Sequence, residues 1–375
     1  MDVWFVTMQY PKYGDHPPYE TVSHPSVSSH TRPYFMHVPS LYLVWDSKRG
    51  VIALRRRERQ LAVSRCGFVL AGVYFRVHEA AALQVPVALK IMDRAQVLLQ
   101  RDDVESEIRV MGQLQMGGLD APLANDHMIR WEYSSDAYNQ YVATEFVANG
   151  SLQAYAHRQV HHLMFQHLQD FAQEHGHEWM RQSVEMFQGL VRALTYLHAQ
   201  NVAHLDLDVY NVAVDARTCP RIIDLGSSQI MDNRGLVGEG YVSIKCKPLF
   251  VAPEVRSHQR MTPPRPGFNG AAADMWAAGV ILVQCVVWGF RGGPTYLLSN
   301  TNWRREIFSH IDATCSPKTC HLCMNFVSIP PLIGAIIKQL LHVDPKQRPS
   351  AYEVAMALQE NRQVELFPVH PRIQG

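Results

Sequence analysis

Four polar residues stand where their types and spacing could do chemistry. Lys90 ends the apolar run Val87-Ala88-Leu89, and a lysine on a buried strand is costly unless anions meet it. Asp206, Asn211 and Asp224 follow much later, with Asp224 thirteen residues after Asn211. Carboxylate and amide oxygens are the donors that a hard cation such as Mg²⁺ prefers. A lysine for phosphate oxygens and oxygen ligands for a cation suit phosphoryl transfer, where the protein supplies positioning and charge and little covalent chemistry. Singly, each residue has a bland reading: a strand-end lysine at the surface, or an Asp-Leu-Gly turn.

The elements that must position them are readable from periodicity. Short β-branched runs at Phe68-Val69-Leu70, Val85 to Lys90 and Tyr141 to Glu145 read as strands. One helix interrupts them, with Val104, Ile108, Met111 and Leu114 on a common face. Glu107 is followed by Val110, Met111 and Leu114, which turns it towards the lysine strand, whereas Glu105 lacks that spacing. Beyond Gly150 the pattern becomes helical. Val184, Phe187, Leu190, Leu194 and Leu197 recur every three or four residues, as do apolar positions from Met275 to Val287. A small β-rich half precedes a larger helical half, the α+β pattern of two lobes with a cleft.

These residues resemble the protein kinase family over the stretch from about Leu61 to about Leu358. Val87-Ala88-Leu89-Lys90 is similar to its lysine strand, His204-Leu205-Asp206-Leu207-Asp208-Val209-Tyr210-Asn211 to its catalytic loop, and Asp224-Leu225-Gly226 to its Asp-Phe-Gly motif. Ala252-Pro253-Glu254, Asp274-Met275-Trp276 with Gly279, and Asp344-Pro345 with Arg348-Pro349 resemble motifs that set protein kinases apart from small-molecule kinases. The resemblance implies a bilobal kinase fold, with ATP and Mg²⁺ as cofactors and a protein substrate phosphorylated on Ser or Thr, less readily on Tyr. By the same resemblance, Asp206 is the base, Lys90 and Glu107 grip the α- and β-phosphates, and Asn211 and Asp224 bind the metal. Gly67, Val69, Ala88, Thr144, Glu145 and Val147 would line the nucleotide, with Thr144 a small gatekeeper and Glu145 and Val147 the hinge. Arg348 would pair with Glu254, while Leu225, Met111, His204 and Asp274 would be packing residues of an internal spine.

Four departures bear on function. Alignment of Gly67-Phe68-Val69 with the end of the glycine-rich loop leaves Ala62 and Ser64 where two glycines belong. A positive φ at either would cost about 1–2 kcal/mol, roughly tenfold in ATP affinity. Leu205 replaces an arginine that reads activation-loop phosphorylation, so switching at Tyr241 or Ser243 is expected to be weak or absent. Asp208 stands where serine/threonine kinases carry a lysine, and Lys247 where they carry a threonine. The two positions touch in the family, so the lysine is expected to have crossed the contact and to pair with Asp208. The rival reading is a pseudokinase scaffold that binds partners, with or without ATP, and transfers no phosphate.

Composition narrows the setting. A net charge of +1 gives no reason to expect nucleic acid or an anionic membrane as partner. The start of the chain lacks the marks of a secretory signal, and Ala277 to Phe290, interrupted by Gln284, reads as too short to span a bilayer. Seven cysteines suit free thiols in the cytoplasm or nucleus. Cys315, Cys320 and Cys323, with His310 or His321, offer four zinc ligands in one loop, but the spacing fits no strong template and free thiols are expected. The i, i+4 pair His157 and His161, near His162 and His167, reads as a solvated helix face, and Arg55-Arg56-Arg57 as a solvated turn. The expected divisions are an extension over 1–54, a small lobe over 55–147, a large lobe over 148–361 and a tail over 362–375. Nothing in the sequence sets the oligomeric state.

Overall fold

The computed structural model describes residues 35–360, apart from 39–40, 48–49, 56–59, 65, 77–83, 101–103, 115–117, 120–125, 136–138, 167–173, 241–245, 289–301, 317, 319 and 325–328. Tyr241, Ser243, Arg56, Arg57, His167 and the side chains of His161 and His162 therefore lie outside the described residues. Two compact units emerge, and the chain crosses between them more than once. The first holds the large sheet, and the second holds three two-stranded sheets and most of the helices, including Val104–Gln113.

An antiparallel sheet builds the first unit. Its order runs Phe35–Val38, Leu41–Ser47, Gly50–Arg55, Gly67–Arg76, Gln84–Asp93, Asn139–Glu145, Trp131–Ser135, and Gln60–Ser64 pairs off this path with Gly67–Arg76. Residues 35–54, read as part of the extension, thus continue the sheet, with Leu41–Ser47 paired to Gly50–Arg55. Alternation sorts the lysine strand into two faces. Val85, Val87, Leu89 and Ile91 are buried with Phe68, Tyr74, Leu119, Tyr141 and Ala143, whereas Ala88 and Lys90 point to the other face and are half-buried. Directly opposed residues share a face, and Lys90 opposes Val69 while Ala88 opposes Thr144. Hence Val69, Ala88, Lys90 and Thr144 lie together on the face away from that core.

The hairpin before this face resolves the missing glycines. Ser64 opposes Gly67 and Ala62 opposes Val69, both inside a strand, and neither has a positive φ. The strain that would have weakened nucleotide binding is therefore absent at these positions. Gly67 is required for a different reason: a Cβ there would sit 1.9 Å from the Ile91 carbonyl oxygen. Close approach of two strands, and not a left-handed turn, selects the glycine.

The second unit is organised around Gly270–Trp288, a helix buried on all sides except at one residue. Trp179 of the long helix Glu174–Ala199 is buried and donates its indole N–H to the Cys285 carbonyl at 2.7 Å. The predicted stripe Val184, Phe187, Leu190, Leu194 and Leu197 is buried throughout. Pro331–Leu340 packs close on the other side, since a Cβ on Gly279 would meet that of Leu340 at 2.8 Å. At nineteen residues the central helix is longer than its sequence suggested, and among the described helices it is the one long and apolar enough to cross a membrane. The small residues Gly270 to Ala273 hid its first turn, because low hydropathy per residue does not prevent helix formation. Here 94% of its most apolar stretch is buried within the protein.

Candidate functional site

The catalytic-loop segment is held by its own hydrogen bonds. Asp274, in the first turns of the central helix, is 1% exposed and accepts the backbone N–H groups of His204 and Leu205, each at 2.8 Å. His198 lies 3.0 Å from the same carboxylate. Leu205 has φ +65, a conformation costing an L-residue about 1–2 kcal/mol, and these bonds hold it there. Asp274 is therefore an electrostatic anchor of the loop and more than the packing residue expected of it. Backbone donors leave no mark in a sequence, so no signal announced this role.

Downstream, the Asn211 side chain donates Nδ2 to the Asp206 carbonyl at 2.8 Å and to Asp206 Oδ2 at 3.3 Å. Asp208 is wholly buried, and its Oδ1 accepts the N–H groups of Tyr210 and Asn211 at 2.7 and 2.9 Å. The other carboxylate oxygen meets the Lys247 ammonium, which also lies 5.4 Å from the centre of the Tyr210 ring. The lysine expected at one position has indeed crossed to the other. Lys247 donates its backbone N–H to Asp206 Oδ1 at 3.3 Å, so one residue touches both carboxylates.

Burial pushes the Asp206 carboxyl above its ordinary range. The Lys247 charge opposes that shift, Asp208 and Asp224 add to it, and His204 works against it. The Asn211 carbonyl accepts the N–H of Ile223 at 2.9 Å, tying the loop to Asp224. Asp224 is exposed, has φ +60 and accepts the Gly226 N–H at 3.2 Å. Asp206, Asn211 and Asp224 thus come together in one hydrogen-bonded segment of the second unit.

The remaining predicted residues divide between the units. Glu107 is 4% exposed in its helix, whereas Glu105 is exposed. Lys90, Val69, Ala88 and Thr144 share the sheet face described above, and Gly67 joins them by alternation. At the end of the strand Asn139–Glu145, the Phe146 N–H donates to the Pro86 carbonyl at 2.8 Å. Val147 begins the longest segment of the second unit, and its carbonyl accepts the Gly150 N–H at 3.0 Å. Glu254 binds Arg348 through both oxygens at 2.6 and 2.7 Å.

Comparison with known proteins decides the family: a model of the protein kinase domain matches residues 70–359. The chain belongs to the protein kinase family. Similar relatives include CBL-interacting protein kinase 25 of Oryza sativa subsp. japonica, 27% identical over 76% of this chain and 47% of that protein. CBL-interacting protein kinase 33 of the same plant is 28% identical over 52% of the chain and 37% of the relative. CBL-interacting serine/threonine-protein kinase 1 of Arabidopsis thaliana is 36% identical, over 26% and 20%. The chain spans less than half the length of these relatives.

The Asp208–Lys247 pair invites a double-mutant cycle. Asp208→Asn keeps an oxygen for the two backbone N–H groups and removes the charge; Lys247→Met removes the other charge. Each is expected to lower stability or transfer, and their coupling to reach about 0.5–3 kcal/mol, reduced by the exposure of the lysine. Additive effects of the two changes would show that the pair is incidental.

Proposed function

We propose that this chain is an active protein kinase that uses ATP and Mg²⁺ to phosphorylate serine or threonine hydroxyls of proteins. The observation that carries the reading is the Asp206–Asn211–Lys247 arrangement. Asp206 is oriented by Asn211 on one side and by the Lys247 backbone on the other, as a group must be if it is to accept a hydroxyl proton. Because Nδ2 of Asn211 is committed to Asp206, its Oδ1 is the atom turned to a ligand. Asn211 and Asp224 then offer an oxygen-only donor set, which fits hard Mg²⁺ and not a soft metal. When bound, the cation would neutralise charge on the triphosphate.

Lys90 and Glu107 are assigned to the α- and β-phosphates. Val69, Ala88 and Thr144 present apolar surface beside Lys90 for an adenine ring, and the Val147 carbonyl closes a turn, so its N–H is the group we assign to adenine. The two non-glycine loop positions count less for a scaffold, since neither carries φ strain. Intracellular location fits the seven cysteines, none of which is in a disulfide.

The test is transfer of labelled γ-phosphate from Mg·ATP to protein, followed by phosphoamino-acid analysis. Phosphoserine or phosphothreonine is expected. No transfer, with Mg·ATP still raising the melting temperature, would instead establish the scaffold. The pH dependence is a second test. A carboxylate held above its ordinary range loses its basic form as pH falls through that raised value, so kcat/KM should fall on the acid side at a higher pH than an ordinary aspartate would give. Lys247→Met removes the charge that opposes the shift and should move this limb further towards neutral pH. An unmoved limb would mean that Asp206 is not the titrating group.

A further inference from the structure

Outside the catalytic loop, four soft ligands converge in one turn of the large unit. His310 is the penultimate residue of the helix Trp303–Ile311, Cys315 lies in the turn after it, Cys320 precedes the short helix His321–Met324, and Cys323 lies within that helix. The spacing His-x4-Cys-x4-Cys-x2-Cys matches no paired template, yet one ligand atom from each residue lies within 4.8 Å of the others. Cys315 Sγ and Cys323 Sγ are 3.4 Å apart, and His310 Nδ1 is 3.3 Å from Cys323 Sγ and 3.9 Å from Cys320 Sγ.

We infer that this cluster is a structural zinc site of the Cys₃His type. With zinc–sulfur bonds of about 2.3 Å and zinc–nitrogen bonds of about 2.0 Å, a tetrahedron places sulfurs about 3.8 Å apart and sulfur about 3.5 Å from nitrogen. The sulfur–nitrogen separations of 3.3 and 3.9 Å straddle that ideal, and the sulfur–sulfur contact of 3.4 Å lies a little inside its own. The backbone brings the ligands in without help from their side chains: Thr314 and Cys315 both donate their N–H to the Ser309 carbonyl, Ala313 takes a positive φ of 53, and the Cys320 N–H bonds the Ser316 carbonyl. Three thiolates and an imidazole select a soft or borderline metal over Mg²⁺. Four protein ligands leave no open position, which marks a structural and not a catalytic centre. Binding releases the three thiol protons to solvent and uses His310 as the neutral imidazole, metallated at Nδ1 with its proton on Nε2.

The site would clip the short helix to the end of Trp303–Ile311. That end is itself tightly seated, since a Cβ on Gly334 would lie 2.9 Å from Ile311 Cγ2. Lys338 pairs with Asp312 at 2.7 Å, two residues beyond His310. Zinc would thus order a region anchored on Pro331–Leu340.

The experiment uses the full chain, purified without chelators in a non-thiol reductant. Elemental analysis is expected to find one zinc per chain, and replacement by cobalt(II) to give thiolate charge-transfer bands with the intense visible bands of a tetrahedral site. Cys323→Ser should lose metal and bands, while Cys219→Ser, outside the cluster, keeps both. Should Cys323→Ser fail to fold, a thiol-modifying reagent is titrated into the wild type, and zinc should appear in a chromogenic chelator as thiols react. Wild-type protein without zinc, weak octahedral cobalt bands, or thiols that all react without releasing metal would each overturn the site. These readouts do not depend on phosphate transfer.

Discussion

Asp206→Asn is expected to lower kcat by about 10²–10⁴-fold, the contribution of a positioned base, and to leave binding of Mg·ATP nearly unchanged. The substitution preserves shape. Asn211 keeps its 2.8 Å bond to the backbone carbonyl of residue 206, and the Lys247 N–H can still reach an amide oxygen there. The asparagine cannot hold a proton taken from a hydroxyl. Stability should not suffer, because burial and the neighbouring Asp208 and Asp224 already work against the charged form of Asp206. The measurement pairs single-turnover transfer with nucleotide titration and thermal melting. A variant that keeps most of its kcat would remove Asp206 from the chemistry, whatever its place in the loop.

Glu254→Ala is expected to cost the large unit about 3–5 kcal/mol, the loss that follows when one partner of a buried ion pair is removed. The Arg348 side chain is fully buried, and all five of its N–H donors are used: two on Glu254, and one each on the carbonyls of Ala272, His342 and Val343. Removing the carboxylate strands two donors and an uncompensated charge. The guanidinium also lies 5.1 Å from the centre of the Trp276 ring, so tryptophan fluorescence can follow the change in denaturant. Replacing both partners by apolar residues, Glu254→Leu with Arg348→Met, should recover much of the loss, since a matched apolar pair avoids the desolvation that ions suffer. A single-mutant cost below about 1 kcal/mol would show that water reaches the arginine.

What the sequence made legible follows from how local each cause is. The buried stripe from Val184 to Leu197 and the alternation through Lys90 were visible because each is set by a period within one element. Glu107 was separable from Glu105 by the same reasoning. The crossing of Lys247 to Asp208 was visible as two substitutions of complementary charge, although its extra tie to Asp206 through the backbone was not. Why Gly67 must be a glycine was not legible, because the Ile91 carbonyl that forbids a Cβ lies twenty-four positions away. The strands Phe35–Val38 and Gly50–Arg55, on either side of the readable Leu41–Trp45 run, were obscured by a composition rich in turn formers just before them. Convergence of His310, Cys315, Cys320 and Cys323 depends on where two short helices stop, which spacing alone does not encode.

The central helix carries a cost that belongs to the time before the fold exists. Until partners cover it, Gly270–Trp288 is a nineteen-residue greasy segment of the kind that membrane-insertion machinery and chaperones recognise. One of its covers, Glu174–Ala199, is synthesised earlier and can wait for it, but Pro331–Leu340 is made only afterwards. A nascent chain therefore passes through a window in which this helix is half dressed. Chains ending before Pro331 are accordingly expected to pellet or to stay bound to chaperones in a translation assay, and full-length chains to run free. Equal solubility of the two would mean that the earlier helix shields the segment by itself.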